Sequence, residues 1–218
     1  MTAVKYSGAY SNLNGASCIF DKINPLGPIV TQADTNNQLS TAGISLTAES
    51  SYEEYLFLFT NGANYLSGTY LETGYTEQDS ASSFNGTSTR LAATTTTRNT
   101  YIQSWQQSSG AYAACLIPYN NRSFSSITFS SVNSTTPSSV SASAGNVVIV
   151  AILSKIDANV NFTPPSGYTL ATSFGYQGSR MGVAYKLITA TGTESPGAWG
   201  GASATTANTH GCYTILLT

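Results

Sequence analysis

The chain repeats itself. Ser67-Gly68-Thr69-Tyr70-Leu71-Glu72-Thr73 is echoed by Ser166-Gly167-Tyr168-Thr169-Leu170-Ala171-Thr172, and each stretch runs on to a glutamine at the same offset, Gln78 and Gln177. Other landmarks recur in the same order, displaced by about 92–99 positions. Ser45-Leu46-Thr47-Ala48 matches Ser139-Val140-Ser141-Ala142, and each leads into an apolar stretch, Tyr55-Leu56-Phe57-Leu58-Phe59 or Val147 to Leu153. Trp105 precedes Ala114-Cys115-Leu116-Ile117 as Trp199 precedes Gly211-Cys212-Tyr213-Thr214-Ile215-Leu216. Matched order and matched spacing read as a tandem duplication of one module.

The repeated unit reads as β. Turn clusters recur about every 8–12 residues, the rhythm of a sandwich of about seven to eight strands, and helical periodicity is nearly absent. Asp157-Ala158-Asn159 and Pro164-Pro165-Ser166-Gly167 are turn chemistry that brackets a short strand at Val160-Asn161-Phe162. Met181, Val183, Tyr185 and Leu187 alternate onto one face, which should meet the Val147–Leu153 strand. The apolar pattern lapses at Asn120-Asn121-Arg122-Ser123, the expected linker. The expected organisation is all-β: an N-terminal arm at 1–20 without a counterpart in the second copy, then two tandem antiparallel β-sandwich modules at 21–123 and 124–218.

Composition narrows the function. Serine and threonine make up about a quarter of the 218 residues, with 14 Tyr and 19 Gly, as strands and tight turns favour. Only 8% of residues are charged and the net charge is −2, so no basic field gathers phosphates, and nucleic acid is not an expected partner. The first residues lack the apolar stretch of a signal peptide, which places the expected product in a cytoplasm. The run Val147–Leu153 has strand length and falls short of the roughly 20 residues of a membrane helix, so no membrane partner is expected. Cys18, Cys115 and Cys212 form no CxxC pair or disulfide framework and are expected reduced and buried.

Catalytic candidates are few. His210 is the only histidine, and Cys212, two residues on, would share its face in a strand. Copy one has Ala113 and Cys115 at the corresponding places, so the duplication argues against a Cys-His nucleophile. Glu53 and Glu54 are adjacent and would point to opposite sides of a strand unless a bulge intervenes. Glu72, Glu77 and Asp79 lack the dense spacing of a calcium loop. Asn85, Asn121, Asn133 and Asn161 begin sequons that a Ser/Thr-rich chain produces by chance. No enzyme activity, cofactor or metal is expected. Aromatic side chains are the better candidates, since Tyr and Trp combine an apolar face with a polar edge. Trp105 and Trp199 recur in both copies and read as core. Tyr6, Tyr10, Leu13, Tyr52, Tyr65, Tyr70 and Tyr75 belong to the arm and copy one and read as a partner surface.

The second copy also carries a family likeness. Pro165-Ser166-Gly167-Tyr168-Thr169-Leu170, then Ala184-Tyr185-Lys186-Leu187-Ile188-Thr189, then Gly192-Thr193-Glu194 resembles the "PSGWT…YYK.AT.GTE" signature of β-sandwich modules in tailed-phage virion proteins. Similar modules occur in bacterial surface proteins. Copy one departs from it, with Thr95-Thr96-Thr97-Arg98 in place of the Tyr-Lys strand and no Gly-Thr-Glu. The resemblance implies an Ig-like or jelly-roll-like tandem structural part of a virion, assembled in the host cytoplasm. Head decoration ranks first, with other virion proteins as partners, either the major capsid protein or a tail protein, and multiple copies per particle. A tail-associated or receptor-binding protein, with a surface glycan as ligand, is the alternative, and a carbohydrate-binding module of a surface enzyme is the third class. The arm is the expected anchor to the particle.

Overall fold

The computed structural model describes Leu26 and residues 29–35, 44–47, 52–61, 75–81, 86–92, 97–100, 111–120, 122–131, 133–155, 161–176, 179–201 and 209–218. Before residue 122, side chains are described for Leu26, Ile29, Thr31, Cys115, Ile117 and Tyr119. The described residues contain fourteen strands and no helix, and every ladder is antiparallel. The first half contributes β1 (Val30–Thr35), β2 (Ile44–Thr47), β3 (Tyr52–Asn61), β4 (Tyr75–Ala81), β5 (Gly86–Ala92), β6 (Thr97–Thr100) and β7 (Ala111–Asn120). The second contributes β8 (Phe124–Phe129), β9 (Val140–Ala142), β10 (Val147–Lys155), β11 (Thr169–Tyr176), β12 (Ser179–Leu187), β13 (Gly192–Glu194) and β14 (Thr209–Leu217).

The halves are wired alike. One five-stranded sheet runs β1-β7-β3-β5-β4 and the other, read from its opposite end, β8-β14-β10-β12-β11. Counted within each half, both orders are first, seventh, third, fifth, fourth. In both, the second strand pairs with the sixth, β2 with β6 and β9 with β13. Of the expected strand Val160-Asn161-Phe162, Val160 lies outside the described residues and Asn161 and Phe162 pair in no ladder, while Thr163 forms an isolated bridge to Gly200.

The Val147–Leu153 run becomes β10, the central strand of its sheet. Val148, Val150 and Ile152 pack with Ala142, Phe162, Tyr168, Trp199 and Cys212 toward the β9–β13 side. Val147, Ile149, Ala151 and Leu153 point the other way and pack with Cys115, Ile117 and Tyr119 of β7. A strand covered on both faces has no solvent side to mark with polar residues, so its apolar run is unbroken. Burying each such side chain is worth about 1.5–3 kcal/mol. Met181 and Val183 do meet β10, but as its hydrogen-bonded neighbours: Met181 stands opposite Leu153 and Val183 opposite Ala151. Their face looks across to the first half, where Cys115 Sγ donates to Met181 Sδ at 3.3 Å.

The two five-stranded sheets therefore share a core, a feature that sequence periodicity did not anticipate. Strand β1 lies over β11, β3 over β10 and β4 over β8: the first strand of one half faces the fourth of the other, and third faces third. Strand β7 also lies against β11 and β12. Of the expected linker Asn120-Asn121-Arg122-Ser123, Asn121 lies outside the described residues. Asn120 still belongs to β7, Arg122 Nη1 donates to the Gly145 carbonyl at 2.6 Å, and Ser123 exchanges both backbone hydrogen bonds with Thr218.

Candidate functional site

The signature residues of the second half converge on one cluster. Pro165-Ser166-Gly167-Tyr168 is a tight turn closed by the Tyr168 N–H on the Pro165 carbonyl at 3.1 Å, with Gly167 at φ 82°. A positive φ at the third turn position is open to glycine at no steric penalty. The turn delivers Tyr168 to the head of β11, where its hydroxyl donates to Glu194 Oε1 at 3.2 Å. Lys186 on β12 reaches the same carboxylate at 2.8 and 2.9 Å and lies 5.7 Å from the centre of the Tyr168 ring. Glu194 sits on β13, in the two-stranded sheet opposite Val140. The three side chains thus clamp the small sheet onto the large one. Burial, followed by the Glu194 charge and hydrogen bond, raises the Tyr168 pKa above its usual value.

This cluster is a fold latch. Glu194→Ala leaves the Tyr168 hydroxyl without its acceptor and is expected to destabilise the protein by about 1–3 kcal/mol in chemical denaturation. Lys186→Met removes only a partly exposed ion pair and should cost under about 1 kcal/mol. Equal losses would mean that the ion pair, rather than the phenol hydrogen bond, carries the clamp.

A second polar group lies at the far end of the same face. His210 on β14 and Arg180 on β12 both stand directly opposite Ser154 on β10. All three are buried. His210 and Cys212 share a face, as residues two apart in a strand do, and the Cys212 thiol donates to the Ser134 carbonyl at 3.4 Å. Burial pushes that thiol up to about 12, against a smaller opposing effect of the Ser130 hydrogen bond. A thiol so protonated is a poor nucleophile at neutral pH. Ser154 and Arg180 carry no motif in the sequence, because only strand register brings them beside His210.

The remaining expectations distribute as follows. Trp199 is core, 3% exposed, while Trp105 lies outside the described residues. Of the partner-surface residues, Tyr6, Tyr10, Leu13, Tyr65 and Tyr70 lie outside the described residues, as does all of the arm. Tyr52 opens β3 opposite Asn120 and Tyr75 opens β4 opposite Leu91. The β3–β7 ladder shifts register between Tyr52 and Glu54. This is the kind of bulge that would be needed for Glu53 and Glu54 to share a side. Glu77 and Asp79 likewise flank a register shift in the β4–β5 ladder, and Glu72 lies outside the described residues. No group of metal-ligating side chains gathers among the described residues. Cys115 and Cys212 are buried thiols, and Cys18 lies outside the described residues. Compared with known proteins, the chain matches no family model, no curated protein and no solved structure.

Proposed function

We propose that this chain is a non-enzymatic structural protein of a tailed-phage particle, a head-associated decoration protein made of two tandem β-sandwich modules behind an anchoring arm. The observation that carries the reading is the Tyr168–Lys186–Glu194 clamp. The residues that resemble the virion-module signature meet in space, and what they do there is hold two sheets together. That is the behaviour of a signature defined by fold rather than by chemistry. The identical strand order of the two halves supports the tandem modules. The 8% charge supports assembly through apolar contact and backbone hydrogen bonds, which salt screens little. In this reading, residues 1–20 with Tyr6, Tyr10 and Leu13 drape over a neighbouring virion protein, and Tyr52, Tyr65, Tyr70 and Tyr75 extend the contact.

The test is the composition of purified particles, quantified by mass spectrometry, with antibody labelling to locate the protein by electron microscopy. The expected result is a fixed copy number with label on heads. Label confined to tails would replace decoration by the tail-associated alternative, and absence from particles would overturn the virion assignment.

A further inference from the structure

Arg180, Ser154 and His210 form a row across three adjacent strands, each directly opposite the next. Opposed residues of an antiparallel ladder put their side chains on one face, here the face that holds Ile152, Cys212 and Trp199. Ser154 and His210 are fully buried, and neither the Ser154 hydroxyl nor either ring nitrogen of His210 has a hydrogen-bond partner. A neutral imidazole in such a place leaves one donor and one acceptor unused, whereas a protonated one leaves two donors and a full charge in a dry site.

Among the described residues, the groups facing the ring supply no counter-charge. Ser154 on β10 is neutral, and the next residue in the row, Arg180 on β12, is a cation. On β14 itself Cys212 keeps its proton and donates it to Ser134. The segment after β8 offers Ser130, bonded to the Cys212 backbone, and Asn133, whose N–H donates to the His210 carbonyl at 2.7 Å. Glu194, tied to Lys186, sits beyond Val148, six residues along β10 or roughly 20 Å away. Among the described residues no carboxylate faces His210.

We propose that His210 is an acid-operated release for strand β14: a proton taken up by its ring, unmatched by any carboxylate among the described residues, unlocks the Thr209–Cys212 end of the sheet and loosens the second-half sheet. Burial lowers the proton affinity of the folded-state ring, whereas the unfolded chain keeps the ordinary histidine value of about 6.5. Below that pH the unfolded state binds the extra proton. Stability is therefore unaffected by this group above about pH 6.5 and falls as the pH drops from there toward the folded-state pKa, the unfolding constant rising by up to tenfold per pH unit.

Because the chain has one histidine, its ring protons report the site alone in an NMR titration of the unmodified protein. The expected midpoint lies below 6.5. Hydrogen exchange at 209–217, corrected for intrinsic rates, should accelerate by up to about tenfold per pH unit between pH 6.5 and the midpoint, and His210→Gln should remove that acceleration. A midpoint at or above 6.5 would overturn the proposal whether or not the variant folds, and so would the same pH profile of exchange in both proteins.

Discussion

Trp199→Ala is expected to cost about 3–5 kcal/mol, a large share of the roughly 5–15 kcal/mol that holds a typical domain folded. The indole is 3% exposed and meets the Phe162 ring edge-on, with centroids 6.3 Å apart at 72°. Its place is shaped by a glycine. A Cβ at Gly182 would come within 3.0 Å of Trp199 Cζ3 and 3.1 Å of both Ile152 Cγ2 and Phe162 Cβ, so Gly182→Ala overfills the site from three sides and should itself cost about 1–3 kcal/mol. The two substitutions should not add. With the indole gone, the methyl at 182 enters vacated space, and the double variant should be more stable than the sum of the single losses predicts. Chemical denaturation of the three variants measures this. Strict additivity, or a Trp199→Ala loss below about 1 kcal/mol, would mean that the ring does not fill this core.

Ile117→Ala and Ile149→Ala should each cost about 2–5 kcal/mol, and both should lower the same unfolding transition. Ile117 belongs to β7 of the first half and Ile149 to β10 of the second. Both are fully buried in one cluster with Leu26, Tyr119, Val183 and Tyr213. A core shared between sheets unfolds as one cooperative unit. Calorimetry of the unmodified chain should accordingly give a single transition that both variants shift downward. Two transitions, each moved by only one of the substitutions, would mean that the halves stand apart and that the contact between β7 and β10 contributes little.

Much of this was legible in the residues. Alternation and turn spacing announced strands, and the Pro165–Tyr168 turn was readable from residue type alone, since Pro, Ser and Gly each have local conformational reasons to be there. Trp199 as core followed from its recurrence. Two particulars were not legible. The motif match set Cys115 against Cys212, yet Cys115 packs between the two large sheets and Cys212 on the opposite face of its own. Successive strand residues point to opposite faces, so superposing the two strands face for face requires shifting that alignment by one residue. The Arg180–Ser154–His210 row was invisible for a related reason. Arg180, Ser154 and His210 become neighbours only through the registers of two ladders whose strands are separated by long stretches of chain.

The sequence by itself determined that the chain is β and that the run Val147–Leu153, which becomes most of β10, is apolar throughout. Those properties are local: they depend on propensity, turn chemistry and the period of burial along a single strand. Which surface covers the second face of β10, and which side chains meet at its ends, was decided only by the tertiary structure. An uninterrupted apolar run states that both faces must be buried but carries no record of the partner, because burial is non-directional and any apolar sheet of suitable shape satisfies it. Here the partner is the first-half sheet, packed against the second through β7 and its neighbours. The residue pairs that this creates, Cys115 with Met181 among them, exist only once two segments far apart in the chain have packed.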